Sequence, residues 1–161
     1  MIKISIIVHA FNEENSIIKI LKKVADVEIE GVNREVIVID DCSTDGTKEI
    51  LLSLKETKID LLIGNDKNYG KGYCIKKGIE AATGDLILIQ DADLEYDPKD
   101  YKNLIEPVKR FRADLVIGSR FLAPKIIRTS YFLNKIKNLP LIDAKIAVSK
   151  DFFSISLLIM V

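Results

Sequence analysis

In DLILIQDADLEYDP, residues 85–98, an apolar run passes abruptly into three carboxylates at alternating positions and then into Asp97-Pro98. An apolar run bounded by turn residues is how a strand buried on both faces of a parallel sheet reads. Asp97 followed by proline is an N-cap with proline at the first helical position, which predicts a helix over 98–111. Four similar runs surround this one: Lys3–Val8, Glu35–Asp40, Ile59–Ile63 and Asp114–Gly118. Amphipathic segments separate them. Glu13–Val27 sets Ile17, Ile20, Leu21 and Val24 on one stripe, Thr47–Glu56 does the same with Ile50, Leu51 and Leu54, and Lys71–Ala82 supplies another helix. Strand and helix alternating at this spacing predict an α/β fold, an open and mainly parallel sheet with helices on both faces.

Composition narrows the class. The chain has 161 residues, 48% of them hydrophobic, and a mean hydropathy of +0.14, enough to build a core and of a size for one domain. Twenty-four basic and 24 acidic side chains cancel, which argues against nucleic acid as a partner. Residues 121–161 are nevertheless basic, with six cations against Asp143 and Asp151. The two cysteines, Cys42 and Cys74, have no CxxC spacing, and the single histidine is His9. They read as small packing residues in a reducing, cytoplasmic setting. The N-terminal apolar run is too short for a signal sequence, and no stretch approaches the ~20 apolar residues of a membrane span. After Arg120 the strand–helix rhythm stops. The expected division is therefore 1–120 as the nucleotide-binding unit and 121–161 as a short or incomplete tail ending in an apolar run.

Ligands of open α/β sheets bind beyond the carboxyl ends of the strands. After the first strand come His9, Phe11, Asn12 and Glu13, either a capped acidic helix start or a ligand loop. After the second come Asp40 and Asp41, either a capped turn or acceptors for base and ribose hydrogen bonds. After the fourth come Asp91, Asp93 and Glu95, either a solvated loop or oxygen ligands for a hard divalent ion. Arg120 comes after the fifth. Asn68-Tyr69-Gly70-Lys71-Gly72-Tyr73 brings glycines and a lysine to a helix start, suited to shaping a turn or to cradling phosphate. It lacks Walker A spacing, and no GxGxxG follows the first strand, so a dinucleotide-dependent dehydrogenase is disfavoured.

In order, SIIVHAFNEENSI (5–17), VIVIDDCSTDGT (36–47), NYGKGYCIKKGIEAATGDLILIQDADLEYDP (68–98) and DLVIGSRF (114–121) resemble the family 2 glycosyltransferases of the GT-A fold. The subgroup is similar to dolichyl-phosphate mannose synthase and the polyprenyl-phosphate sugar synthases. The resemblance implies that His9, Phe11, Glu13, Ile39, Asp40 and Asp41 meet the nucleoside, with Lys71 and Arg120 on the diphosphate. It implies further that Asp91, Ala92 and Asp93 form a DXD element holding Mg2+ or Mn2+ with Glu95 nearby, Asp91 and Asp93 being catalytic. The family usually has proline and tyrosine where His9 and Phe11 stand, and glycine where Cys42 stands. Its members generally continue well past this length.

The activity so implied is inverting transfer of a hexose from a GDP- or UDP-linked sugar. A sugar-hydroxyl acceptor needs a carboxylate base, and no acidic motif follows Arg120 to supply one. A phosphate monoester, with a second pKa near ~6, is already ionised, which favours a polyprenyl phosphate and contact with the cytoplasmic face of a membrane. The rival expectation is a shortened chain that binds nucleotide sugar or a partner without turnover; a nucleotidyltransferase ranks below both.

Overall fold

The structure, a computed structural model, describes residues 1–111, 115–118 and 156–160. Its sheet has six parallel strands in the order β3-β2-β1-β4-β6-β5. These are β1 (Ile2–Ala10), β2 (Val32–Asp40), β3 (Leu61–Gly64), β4 (Leu86–Asp91), β5 (Leu115–Gly118) and β6 (Ser156–Met160). Among the described residues, four helices lie between β1 and β5: α1 (Ile17–Asp26), α2 (Thr47–Lys58), α3 (Lys71–Ala81) and α4 (Tyr101–Phe111).

Side-chain alternation along β1 divides the core in two. Ile4, Ile6 and Val8 pack with Ile17, Ile20, Leu21 and Val24 of α1, Leu51 of α2 and Tyr101, Leu104 and Ile105 of α4. Ile7 points the other way, into a cluster with Ile37, Ile39, Ile87 and Cys74 of α3. Helices thus cover both faces, as the apolar character of the strands requires. Gly78 sets how closely α3 can approach: a Cβ there would lie 2.6 Å from Ile7 Cγ2 and 3.0 Å from Ile39 Cδ1.

Three features differ from the sequence reading. First, α1 begins at Ile17 rather than Glu13. Asn12 takes a left-handed φ of 57°, and the Glu13 carbonyl accepts from the amides of Ser16 and Ile17, so the intervening residues form a turn. Second, Asp97 caps as expected, its Oδ1 accepting from the Lys99 amide, but the turn it opens is a 3-10 turn over Pro98–Asp100 ahead of α4. Third, and largest, the apolar run expected to be a tail contains β6, inserted between β4 and β5. Leu86–Ile89 pair with Ser156–Ile159, and Leu115–Gly118 pair with Leu157–Met160. A strand whose partners lie far back in sequence, with no helix pattern leading into it, leaves no local periodicity to read. A boundary at residue 120 therefore cuts through the sheet, leaving β6 on the far side of it.

Candidate functional site

The register of the sheet brings the expected residues to one edge. His9 pairs with Ile39 on one side and Asp91 on the other, Ala10 pairs with Asp40, and Asp40 pairs with Gly64. The carboxyl ends of β1, β2, β3 and β4 so form a single crest. The loops leaving β1 and β2 are stitched together above it. The Asn12 amide donates to Ser43 Oγ (3.0 Å), and Asn12 Oδ1 accepts from the Thr44 amide (2.8 Å). The Glu13 amide donates to Thr47 Oγ1 (2.8 Å), and the Glu14 carboxylate accepts from the Gly46 amide (2.9 Å). The Glu13 carboxylate itself turns back to accept from Ser16 Oγ. Acids and hydroxyls at both strand ends thus tie two loops into one floor.

Asp40 and Asp41 are both buried, and they are used differently. Asp40 Oδ1 accepts from the Ser43 amide at 3.2 Å. Asp41, 0% exposed, holds the segment that leads into α3. Its Oδ1 accepts from Asn65 Nδ2 (2.8 Å) and the Tyr69 amide (2.9 Å), and its Oδ2 accepts from the Gly70 amide (2.7 Å). Burial alone would raise the Asp41 pKa, but these donors favour the ionised form and hold it below its usual value. Cys42 next to it has φ 62° and Gly70 has φ 85°. Position 42 thus needs the left-handed backbone that glycine adopts most easily, and Cys42 holds it with Sγ 3.6 Å from the Asp66 carbonyl oxygen.

His9 lies beside this hub, its Nε2 3.8 Å from Asp41 Oδ2 and without a hydrogen-bond partner among the described residues. Burial lowers its pKa, and the charge on Lys71 acts in the same direction, against the pull of Asp41 and Asp91. Among the described residues, His9, Asp41 and Cys74 are the one trio of metal-capable side chains with ligand atoms all within 4.8 Å of one another. The Cys74 thiol is pushed up to about 12, first by burial and then by Asp41. Asp41 is already saturated with donors. Asp41 and Cys74 share the Asn65 amide as a donor, with His9 packed beside them.

Asp91 is exposed enough to take a ligand, and it already carries a cation. Lys71 Nζ lies 2.6 Å from its Oδ1 and 2.7 Å from its Oδ2, with the two side chains 48% and 22% exposed. Ala92 behind it is buried, Asp93 is exposed, and the Glu95 amide donates to Asp93 Oδ1 (3.0 Å) around Leu94 at φ 66°. Gln90 fixes this loop from below. Its Nε2 donates to the Asp91 carbonyl (2.9 Å), and its Oε1 accepts from the buried Tyr101 hydroxyl (2.7 Å). Asp91 and Asp93 offer carboxylate oxygens of the kind a hard divalent ion takes, but with Glu95 they do not form a group whose ligand atoms all lie within 4.8 Å of one another.

The remaining expected residues scatter. Phe11 is exposed at the crest, whereas the Ile39 side chain is fully inside the core with Ile7 and Cys74, leaving only its backbone to the site. Arg120 lies outside the described residues. The sequence reading missed Asn65, which also accepts from Lys77 Nζ (2.9 Å), and the supporting roles of Thr47, Gln90 and Tyr101. A polar residue directly ending an apolar strand run was the available signal for Asn65 and Gln90.

An open parallel sheet with acids along its carboxyl crest and a glycine-led helix start beside them is a nucleotide-binding α/β architecture. The chain belongs to glycosyl transferase family 2, whose model matches residues 5–151. It is 32% identical to the dolichol-phosphate mannosyltransferase of Pyrococcus furiosus over 120 residues, 74% of this chain and 34% of that protein. It is also 32% identical to the dodecaprenyl-phosphate galacturonate synthase of Rhizobium johnstonii over 138 residues, 84% of this chain and 40% of that one. Among solved structures, Staphylococcus aureus TarS 1-349 in complex with UDP-GlcNAc matches with a TM-score of 0.61 and 27% identity, covering 81% of this chain and 38% of that chain. The GT-A fold expected from the sequence is the fold observed. The chain spans about a third to two fifths of the length of these relatives.

Proposed function

We propose that this chain carries the donor site of an inverting glycosyltransferase that moves a hexose from a GDP- or UDP-linked sugar to a polyprenyl phosphate. The observation that carries the reading is Asp91: a partly exposed carboxylate at the end of β4, level with His9 and one residue short of the level of Asp40, and already paired with a cation. The names of the two curated relatives support a polyprenyl-phosphate acceptor, and the UDP-GlcNAc complex of the structural neighbour supports a nucleotide-sugar donor.

In this reading each residue has a task. His9, Phe11, Glu13, the Ile39 backbone and Asp40 form the nucleoside end, with Asp41 holding the Tyr69–Gly70 amides in place beneath it. Lys71 and Arg120 meet the diphosphate. Asp91 and Asp93, with Glu95 beside them and Ala92 buried between, hold Mg2+ or Mn2+, which when bound offsets the charge of the departing nucleoside diphosphate. Residues 1–120 carry the donor side in this reading, and β6, from the segment 121–161, fills the sheet between β4 and β5. A phosphate acceptor arrives ionised and needs no general base from this chain. None of the described helices is long and apolar enough to cross a membrane.

The test is a thermal-shift panel of nucleotide sugars with and without Mn2+, followed by transfer of radiolabelled sugar to polyprenyl phosphate. Metal-dependent stabilisation by one donor, lost in Asp91→Asn and Asp93→Asn, supports the reading, because a ligand at free concentration L stabilises by RT ln(1 + L/Kd). Donor binding without transfer would favour a binding-only role. No shift with any donor and metal would refute the assignment.

A further inference from the structure

We infer that Lys71 is an exchangeable counter-cation: its ammonium occupies Asp91 until a divalent ion and a nucleotide diphosphate arrive, and it then moves to the diphosphate. The inference rests on the reading above, in which Asp91 takes the metal.

Two observations converge on it. One Nζ lies 2.6 and 2.7 Å from the two oxygens of the Asp91 carboxylate, so a point charge already sits where a metal ion would bind. Yet Lys71 is the first residue of α3, an eleven-residue helix whose own N-cap and first turn supply no acid; the Asp41 carboxylate takes the Tyr69 and Gly70 amides ahead of it and leaves the Lys71 amide and those after it without a carboxylate. The partial positive charge and unpaired amides of a helix N-terminus disfavour an ammonium and favour a phosphoryl group. Asp91 is what holds the ammonium there. The pair is also wet, with Lys71 48% exposed, and a contact of that kind is weak enough to exchange. A lysine on a flexible stem can swing between two anions, whereas the root of this one is anchored, because Asp41 grips the Gly70 amide immediately before it.

Charge accounting gives the consequence. A divalent ion arriving alone must evict the ammonium and then sit beside it. A diphosphate arriving alone must draw the lysine away and leave a bare carboxylate next to its own negative charge. When both arrive, each charge has a partner. Metal and nucleotide therefore assist one another through this side chain, and the coupling is reciprocal.

Calorimetric titration of Mn2+ alone into the wild-type chain, Lys71→Met and Lys71→Arg tests this. Lys71→Met is expected to bind Mn2+ alone about two- to fivefold tighter than wild type, the worth of one partly exposed ion pair, and Lys71→Arg no tighter than wild type. With UDP or GDP saturating, the advantage of Lys71→Met should vanish or reverse. Lys71→Gln repeats the measurement should Lys71→Met fold poorly. Equal Mn2+ affinity of wild type and Lys71→Met without nucleotide overturns the exchange while leaving Asp91 as a metal ligand. Absence of Mn2+ binding to every variant, with or without nucleotide, overturns the donor-site reading as well.

Discussion

Replacing Asp41 by asparagine keeps the outline of the side chain and removes one acceptor. In the native arrangement the carboxylate takes three N–H donors at 2.7–2.9 Å, with no exposure to water. An asparagine with its oxygen toward Asn65 and Tyr69 keeps two of them as ordinary hydrogen bonds, each weaker than its charge-assisted form by about 1 kcal/mol. Its amide group then faces the Gly70 N–H, donor against donor, and an unsatisfied buried group costs about 1–3 kcal/mol. The neutral side chain is easier to bury, which offsets part of the loss, so the net destabilisation is about 2–4 kcal/mol. For a domain of this size that lowers Tm by roughly 5–15 °C at pH 7. The matched control is Asp91→Asn, whose ion pair is partly exposed and is worth less than about 1 kcal/mol. Because folding lowers the Asp41 pKa from its ordinary 3.8, the stabilisation is complete above that value and fades as the pH falls below it, so the two proteins converge in acid. Thermal unfolding followed by circular dichroism measures all of this. An Asp41→Asn melt within about 2 °C of wild type at pH 7 would refute the view that this carboxylate organises the start of α3.

The same geometry makes two further outcomes testable. Burial holds the His9 pKa below 6.5, so as the pH falls through 6.5 the unfolded chain takes up a proton that the native one refuses, and stability declines. His9→Gln should flatten the dependence of Tm on pH between about 7 and 5.5, and an unchanged slope would show that His9 is not its source. Gly78→Ala places a methyl 2.6 Å from Ile7 Cγ2 and should cost about 1–3 kcal/mol in urea unfolding; a neutral substitution would mean that α3 can lift off the sheet without penalty.

The parts of this protein that could be read from sequence are those whose signal is local. β4 and its acids announced themselves because an apolar run ending in charge is both a buried strand and a strand end. The cap at Asp97 was legible for the same reason. The uses of the two adjacent aspartates were not, since nothing in Asp40-Asp41 says that Asp41 faces the Tyr69–Gly70 amides. Those donors are contributed by a loop almost thirty residues later. Lys71 was read as a phosphate contact, and its engagement with Asp91 depends on β4 lying beside β1 at one register. Ile39 shows the converse: its place in the motif suggested a contact with ligand, while strand alternation turned its side chain into the core.

The placement of β6 bears on how the molecule can be made. Synthesis delivers β4 first, β5 next and β6 last, yet in the finished sheet β6 lies between the other two. On a ribosome the backbone of Leu86–Ile89 must wait, with one side bare, while everything from Asp91 to Ser156 is translated. At about 5–20 residues per second that interval lasts on the order of several seconds, long enough for a bare edge to recruit another nascent chain. A chaperone that shields that edge until β6 has been made should therefore raise the yield of folded protein more than one acting later.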